Sequence, residues 1–392
     1  LALFLAKARF RVVVLEKEDA LGDSPRAVTY LHNILGDLDA IGVVDGMLER
    51  GHIDRDGFTM HLPMLGEVVN IPLTALEESG DPHPYNINLG QDQYARIALD
   101  ALSTYPNAEV RFGAEVFAVD DTGEDVRVVF TRGGVEEEIV GTYVVGADGG
   151  RSPVRHLIGA TLEGTTWEER FVATNVRFPF DERGYNTSNM VVHPEYGCIV
   201  ARITPDGLWR CTYQEPLELP EETAGERIRA HFVRLLGEED ADRVEVVAFR
   251  PYRMHQRLAS TLRAGRILLA GDAAHLTNPT GGLGLTSGLY DVFLLQEVLT
   301  AVLRGEAGDE ALDYYATDRS RVFAEVSSPS AIAFKKLVYD TADPDAQRAG
   351  SAMQREVAGA PERQLEFLGG IDVIRSPRWA ERAAASSHQG QA

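Results

Sequence analysis

Apolar and polar positions change their spacing several times along this chain, and each change marks an element. "LALFLAKARF" carries apolar residues at helical spacing, and "RVVVLEKE" follows at once as a continuous apolar run closed by acid, the pattern of a buried strand. The loop "KEDALGDSPRAV" leads into "TYLHNILGDLDAIGVVDGML", where the helical period returns. Residues 57 to 73 alternate as strands do, with a turn at Gly66, and "QDQYARIALDALSTY" predicts another helix. Four short strands are expected within 108 to 147, separated by turn residues such as "DDTGED" and "TRGG". "FVATNVRF", "NMVVHP", "CIVARI" and "LWRCTYQ" then read as antiparallel strands, a helix covers about 221 to 237, and "VEVVAFRPYRM" is a further strand. From 281 to about 335 the period is helical, and the polar end "RAAASSHQGQA" is expected to fray.

This order predicts an α/β fold: a Rossmann-like nucleotide-binding domain interleaved in sequence, an inserted β-sheet substrate domain, and C-terminal helices. The expected divisions are 1–75 and 76–165 for the first two parts of the nucleotide-binding domain and 166–255 for the β-rich insertion. Residues 256–335 supply its third part and the helices, and 336–392 form a tail. At 392 residues, 44% hydrophobic and 25% charged, the chain can bury a substantial core. A formal charge of -22, with no Lys/Arg-rich patch to offset it, excludes nucleic acid as the expected partner. No apolar run approaches the roughly 18 residues of a membrane span. Cys198 and Cys211 fit no metal-ligand spacing and no disulfide framework, so they read as buried thiols in a cytoplasmic protein, and no metal is expected.

The chemistry concentrates in three places. In "RILLAGDAAHLTNPTGGLGLTSGLYD" a buried strand delivers Gly271 and Asp272 to the carboxyl end of a sheet, where open α/β sheets bind ligands. A carboxylate there can accept hydroxyls of a sugar or sugar alcohol. Gly281, Gly282 and Gly284 let backbone approach a flat ligand, and the helix they open aims free N–H groups and a positive dipole end at it. The plainer alternative is a glycine-rich turn with Asp272 as helix cap. "GADGGRSPVRHLIGA" repeats the strand-to-turn grammar with Asp148, Gly149, Ser152 and Arg155, which a type I turn and a cap would also explain. Glu16, closing "VVVLE", stands where a dinucleotide-binding unit holds a ribose; a solvated surface carboxylate is the alternative.

Together "VVVLEKE", "SPRAV", "LGQDQYARI", "VVGADGGRSPVR" and "GRILLAGDAAHLTNPTGGLGLTSGLYD" resemble the FAD-dependent aromatic hydroxylases, single-component flavoprotein monooxygenases of the para-hydroxybenzoate hydroxylase type, over about residues 1 to 325. The resemblance implies that Glu16 holds the adenosine ribose, that Arg26 and Gln91 lie along the pyrophosphate and ribityl chain, and that the Val116 backbone meets the adenine. It places Asp272 at the ribityl or pyrophosphate side, Pro279 beside the ring, and the backbone of Gly281, Gly282, Leu283, Gly284 and Leu285 at its pyrimidine edge. Asp148 and Gly149, with Gly271, complete the expected FAD contacts.

The implied reaction uses NADPH or NADH to reduce FAD, forms a C4a-hydroperoxide with O2, and hydroxylates a small phenolic or heteroaromatic substrate. His193, Tyr213 and His275 are candidates for a base that deprotonates the substrate, each set against a packing or structural role. A homodimer is left open. Three departures qualify the resemblance: the family's G-x-G-x-x-G turn is expected just before Leu1, so the chain reads as lacking its first strand and that loop; "NPTGGLGLTSG" replaces the more usual Pro-Pro and Gly-Met-Asn around the flavin; and the chain reads as stopping after the helical region, without the C-terminal thioredoxin-like domain of the phenol hydroxylase branch. The rival readings are a FAD-dependent dehydrogenase or reductase that inserts no oxygen, and a flavin-poor non-catalytic fragment.

Overall fold

Two parallel strand pairs frame the nucleotide-binding half in the computed structural model, which describes residues 1–22 and 27–389. Val12–Glu16 runs parallel to Ala108–Phe112, with Glu16 opposite Phe112. Val144–Gly146 runs parallel to Ile267–Leu269, so segments far apart in sequence meet edge to edge. Ile267, Leu268 and Leu269 are buried, which is why this strand reads as an unbroken apolar run with no alternation. The helix Ala2–Lys7 bridges two cores: Leu3 and Ala6 enter one, and Leu1 and Leu5 pack against the other. Between the two pairs lies an antiparallel meander of Ala114–Asp121, Val126–Arg132 and Val135–Gly141. The 108 to 147 stretch therefore holds five strands where four were expected, because Gly113 (φ +67°) divides the first from the second.

An eight-stranded sheet forms the second body. Its order is His275–Leu276, Glu245–Ala259, Leu162–Arg177, Leu208–Pro216, Cys198–Arg202, Ser188–Val191, Phe58–Leu62 and Glu67–Ile71. Phe58–Leu62 and Glu67–Ile71 thus leave the nucleotide-binding part to which residues 1–75 were assigned, and Phe58–Leu62 pairs in parallel with Ser188–Val191. Alternation identifies a strand but not its partner, so this crossing had no local signal. The expected helix after the first loop is two helices, His32–Asp39 and Val44–Arg50, parted where Gly42 takes φ +74°.

The helix Leu283–Leu303 is the central strut. It is 21 residues long and an 18-residue stretch of it has a mean hydropathy of 1.2, so by length and composition it could cross a membrane, although Asp291 and Glu297 interrupt any continuous apolar run. It is instead a core helix: Leu283, Tyr290 and Phe293 enter one core, Leu294, Leu295, Val298 and Leu299 the other, and Asp291 is fully buried and ion-paired. Helices also fill most of the expected C-terminal tail as far as residue 389. Ser328–Tyr339 continues through 336, and Pro344–Gly350, Ala352–Ala358, Pro361–Gly369 and Trp379–Gln389 follow as helices. Ile374 enters the first core and the Trp379 ring lies 5.9 Å from that of Tyr314. Helices of two turns are too short to display a period, although Pro344 and Pro361 at their first positions are start signals.

Candidate active site

The two Asp-Gly motifs emerge side by side. Gly146 is in register with Leu269, and the Ala270 amide donates to the Gly146 carbonyl at 3.0 Å, so Asp148-Gly149 and Gly271-Asp272 leave neighbouring strand ends. Gly149 (φ +81°) and Gly271 (φ +61°) both adopt the left-handed conformation that such turns need. Arg155 clamps the pair, donating to the Ala273 carbonyl at 2.9 Å and the Gly150 carbonyl at 2.8 Å. Asp148 is itself engaged by the helix it precedes: one oxygen accepts from the Ser152 hydroxyl and the other from the Val154 amide at 2.9 Å. Ser152 caps the same helix by accepting from the Arg155 amide at 2.9 Å. Asp148 and Ser152 therefore build the turn, while the Asp272 side chain is exposed at the strand end.

Beneath Gly271 lies a buried charge network with no sequence-stretch of its own. Asp291 accepts from the Gly271 amide at 2.9 Å and from His275 Nε2 at 2.8 Å on one oxygen, and from Arg319 Nε at 2.8 Å on the other. Burial raises the Asp291 pKa, but His275 and Arg319 outweigh it and hold the carboxyl below the ordinary carboxylate range. Arg319 also donates to the Ser287 carbonyl, the Ile374 carbonyl and the Ser376 hydroxyl, tying the strut and the C-terminal segment to the same point. The His275 ring stacks on Phe323 at 4.4 Å. One of the three candidate bases is thus committed to this network.

The glycine stretch opens the helix whose Gly288 packs against Gly271, where an added Cβ would lie 3.3 Å from the Gly271 Cα. Gly282 (φ +68°) stands at the N-cap of Leu283–Leu303 and no side chain caps that end, so the first-turn amides, those of Leu283, Gly284 and Leu285 among them, have no side-chain acceptor. Around Gly271 and Gly282 an added Cβ would find open space within 4 Å. The Thr280 hydroxyl is buried without a protein partner. Pro279 is exposed. Gln256 from the large sheet fastens this loop: its Oε1 accepts from the Thr277 hydroxyl at 3.1 Å and the Asn278 amide at 3.2 Å, and its Nε2 donates to the Ser328 hydroxyl at 2.8 Å. Sequence reading missed Gln256, Asp291 and Arg319; an acid inside the apolar "LYDVFLL" was the one available signal.

The remaining cofactor candidates occupy two neighbouring edges. Glu16 ends its strand, accepting from the Glu18 amide at 3.0 Å, and the Gly113 amide donates to the Glu18 carbonyl at 3.0 Å. That contact brings Glu16 near the start of Ala114–Asp121, where Val116 sits beside a break in the ladder. Gln91 is the first residue of the helix Gln91–Ser103, and the Leu89 amide just before it donates to the Val28 carbonyl at 2.7 Å. Arg26 lies outside the described residues.

Strand register separates the faces of the large sheet. Phe171 is opposite both Gln214 and Tyr252, whereas Tyr213 is opposite Val172 and Cys198. Phe171, Tyr252, Met254 and Met190 cluster with Phe58, Phe334 and Tyr339, and a Cβ on Gly281 would lie 2.9 Å from Phe334, so this face meets the glycine loop. Farther along the same face, buried Arg210 donates to Asn175 Oδ1 at 2.7 Å, and burial lowers its pKa to about 10. Tyr213 points the other way, into a core with Val172, Trp209 and Phe232, its ring stacked on His231 at 3.8 Å and its hydroxyl without a partner. His193 follows the strand Ser188–Val191, stacked on Tyr196 at 3.7 Å, with burial lowering its pKa. Neither His193 nor Tyr213 belongs to the aromatic cluster that meets the glycine loop.

Residues 1–330 match the family described as FAD binding domain. The chain is 42% identical over 334 residues to 6-hydroxy-3-succinoylpyridine 3-monooxygenase HspB of Pseudomonas putida (strain DSM 28022 / S16), covering 84% of this chain and 83% of the relative. It is 35% identical over 382 residues to para-nitrophenol 4-monooxygenase of Pseudomonas sp. (strain WBC-3), covering 97% and 94%. The crystal structure of p-nitrophenol 4-monooxygenase PnpA from Pseudomonas putida DLL-E4 superposes with a TM-score of 0.90 at 35% identity, over 96% of this chain and 95% of that one.

Proposed function

The chain belongs to the FAD-dependent aromatic monooxygenases, and from that premise we propose that it oxygenates a hydroxylated aromatic ring at a carbon that lies para to the hydroxyl and bears an electron-withdrawing substituent, which leaves with its bonding pair as the new C–O bond forms, giving nitrite and a quinone in the case of 4-nitrophenol. Both relatives' names describe such a position: the nitro-bearing carbon of para-nitrophenol, and carbon 3 of 6-hydroxy-3-succinoylpyridine. FAD, when bound, supplies the chemistry, accepting hydride from NAD(P)H and activating O2. The residues fit it. The observation that carries the assignment is the convergence of Gly271-Asp272 and the uncapped start of Leu283–Leu303 on one open, glycine-lined edge, with the buried Thr280 hydroxyl still in want of a partner.

In this reading Asp272 accepts ribityl or phosphate-side hydroxyls, and Glu16 those of the adenosine ribose. Gln91 and Arg26 lie along the chain between them, and the Val116 backbone meets the adenine. The backbone from Gly281 to Leu285 lies at the pyrimidine edge and offers the amides of Leu283, Gly284 and Leu285, the Gly282 amide being given to the Pro279 carbonyl at 2.9 Å, and the helix dipole there favours negative charge on the reduced ring. Asp148 and Gly149 act by shaping the adjoining turn. The substrate ring lies against Phe171, Tyr252, Met254 and Phe334, which exclude water from the reacting carbon. An electron-withdrawing group para to the hydroxyl acidifies the phenol, so the phenolate forms without a strong base, which suits a face that carries none of His193, Tyr213 and His275.

The test uses protein reconstituted with FAD and offered 4-nitrophenol or 6-hydroxy-3-succinoylpyridine with NADH or NADPH under isotopically labelled O2. Label in the product with stoichiometric reductant consumption supports the reading; reductant oxidation with label only in peroxide or water refutes oxygen insertion. Asp272→Ala should weaken FAD binding by about 1.5–3 kcal/mol, the worth of a hydrogen bond to a charged group, or roughly 10- to 150-fold. Unchanged flavin affinity in a folded variant removes Asp272 from the contact set.

A further inference from the structure

The face of the large sheet turned away from the glycine loop carries a second constellation that the monooxygenase reaction does not use. Cys198 on Cys198–Arg202, Cys211 on Leu208–Pro216 and His231 on the helix Ala224–Leu236 converge there, with both sulfurs and one imidazole nitrogen within 4.8 Å of one another. Cys211 Sγ and His231 Nε2 are 3.7 Å apart. The two cysteines are 0% exposed and His231 6%, so the group is sealed from solvent. Strand register explains the meeting: Cys198 is opposite Tyr213 and Val200 opposite Cys211, which sets the cysteines diagonally on one face beneath the helix. The imidazole is held in orientation by its flat stack on Tyr213, with rings 10° apart.

We propose that Cys198, Cys211 and His231 form a binding site for a soft, monovalent d10 cation, copper(I), inside the substrate domain. The donor set selects for it. Two sulfurs and an imidazole are soft or borderline ligands and contain no oxygen for magnesium or calcium. Among the described residues the site has three His, Cys, Asp or Glu donors, which satisfies the low coordination number of copper(I), whereas structural zinc takes four. The walls are mainly apolar, with Val172, Val200, Ile228 and Phe232 in the same core and tyrosines as the polar exceptions, so a strongly hydrated divalent cation would not replace its water shell there. One thiolate with copper(I) is neutral, and neutrality is what a dry core requires. Metal uptake releases one thiol proton to solvent.

Anaerobic titration of the reduced, FAD-loaded protein with copper(I) in competition with bicinchoninate reads the site directly. We expect one copper per chain and an X-ray absorption spectrum of two sulfur ligands and one nitrogen. Cys198→Ser, Cys211→Ser and His231→Asn should each lower the affinity about 100-fold or more at unchanged flavin content. The absorption spectrum needs no variant, so the proposal stays testable if a substitution prevents folding. Three results overturn it: no uptake by the folded parent, the same uptake by both cysteine variants, or a count of fewer than two thiols in the unfolded parent because a disulfide joins Cys198 to Cys211.

Discussion

Replacing Asp291 with Asn should unlatch the Asp272 turn from below. The carboxylate is fully buried and takes three donors, the Gly271 amide, His275 Nε2 and Arg319 Nε. Asn keeps the shape but offers one accepting oxygen. If that oxygen stays with Arg319, the amide nitrogen turns a donor toward the Gly271 N–H. Arg319, itself fully buried, loses its only carboxylate among the described ion pairs. Breaking a buried pair from one side costs about 3–5 kcal/mol. With an unfolding entropy of about 2.1 cal/mol/K per residue, 392 residues give about 0.8 kcal/mol/K, so the melting temperature should fall by about 4–6 °C. The sign with pH follows from the depressed carboxyl. Its stabilisation is present above the unfolded value of about 4 and disappears as pH falls through the lower folded value, so the gap between parent and variant should close in acid. Calorimetry of apoprotein and FAD-loaded protein across pH is the assay, with flavin titration alongside. Because Gly271 carries Asp272, flavin affinity should fall with stability. Removing both charges, Asp291→Asn with Arg319→Gln, should cost less than the sum of the two single changes. A melting temperature within 1 °C of the parent for Asp291→Asn, on this scale about 1 kcal/mol, would refute the reasoning.

Three further outcomes follow from particular atoms. Burial pushes the Asp54 carboxyl up to about 6, against hydrogen bonds from the Gly57 amide and the Ser188 hydroxyl. Its stabilisation is therefore present at about pH 4 and lost as pH rises to about 6, some 3 kcal/mol in all, and denaturant melts of Asp54→Asn should lack that slope. Tyr213→Phe removes a buried hydroxyl that has no partner, so it should raise stability by about 1 kcal/mol and leave the ratio of product to reductant consumed unchanged; altered coupling would return Tyr213 to the site. Gly281→Ala would set a Cβ 2.9 Å from Phe334, a ring packed 6.4 Å from Phe58, and should cost about 1–3 kcal/mol with a shifted flavin spectrum; a spectrum and a melt identical to the parent's would place the loop away from the ring.

What the sequence made legible is local, and what it hid is a matter of faces and partners. An apolar strand, an Asp-Gly turn and glycines before a helix announce themselves within 26 consecutive residues, and the same grammar at 146 to 160 shows that two such turns exist. Nothing local says that Gly146 and Leu269 are neighbours; parallel pairing across an inserted domain leaves no spacing to read. The strand "LWRCTYQ" sorts Trp209, Cys211 and Tyr213 from Arg210, Thr212 and Gln214, as a period of two must. It does not say which set faces the nucleotide-binding body. Here the sheet is covered on both sides, by the helix Ala224–Leu236 on one and by Phe334 and the glycine loop on the other, so the polar set shares the glycine-loop face and the apolar set packs beneath the helix. The same two-sided cover sets Tyr213 in the core beneath the helix and concealed the Cys198, Cys211 and His231 group.

The support of the site is the part least visible in sequence and most consequential for its chemistry. Asp272 is exposed at a strand end, so its position depends on the turn that carries it, and that turn is held by Arg155 from one side and Asp291 from below. Gln256 holds the glycine loop from the substrate sheet in the same way. A change at either anchor reaches the turn and the glycine loop through the hydrogen bonds that hold them. The two anchors differ in what they join: Asp291 and Arg319 connect the turn to the C-terminal segment, whereas Gln256 connects the loop to the large sheet, on whose aromatic face the substrate is proposed to lie. Gln256→Ala should therefore disturb coupling of reductant use to product more than flavin affinity, and Asp291→Asn the reverse. Measuring both quantities for both variants separates them, and equal effects on each would show that loop and turn move as one piece.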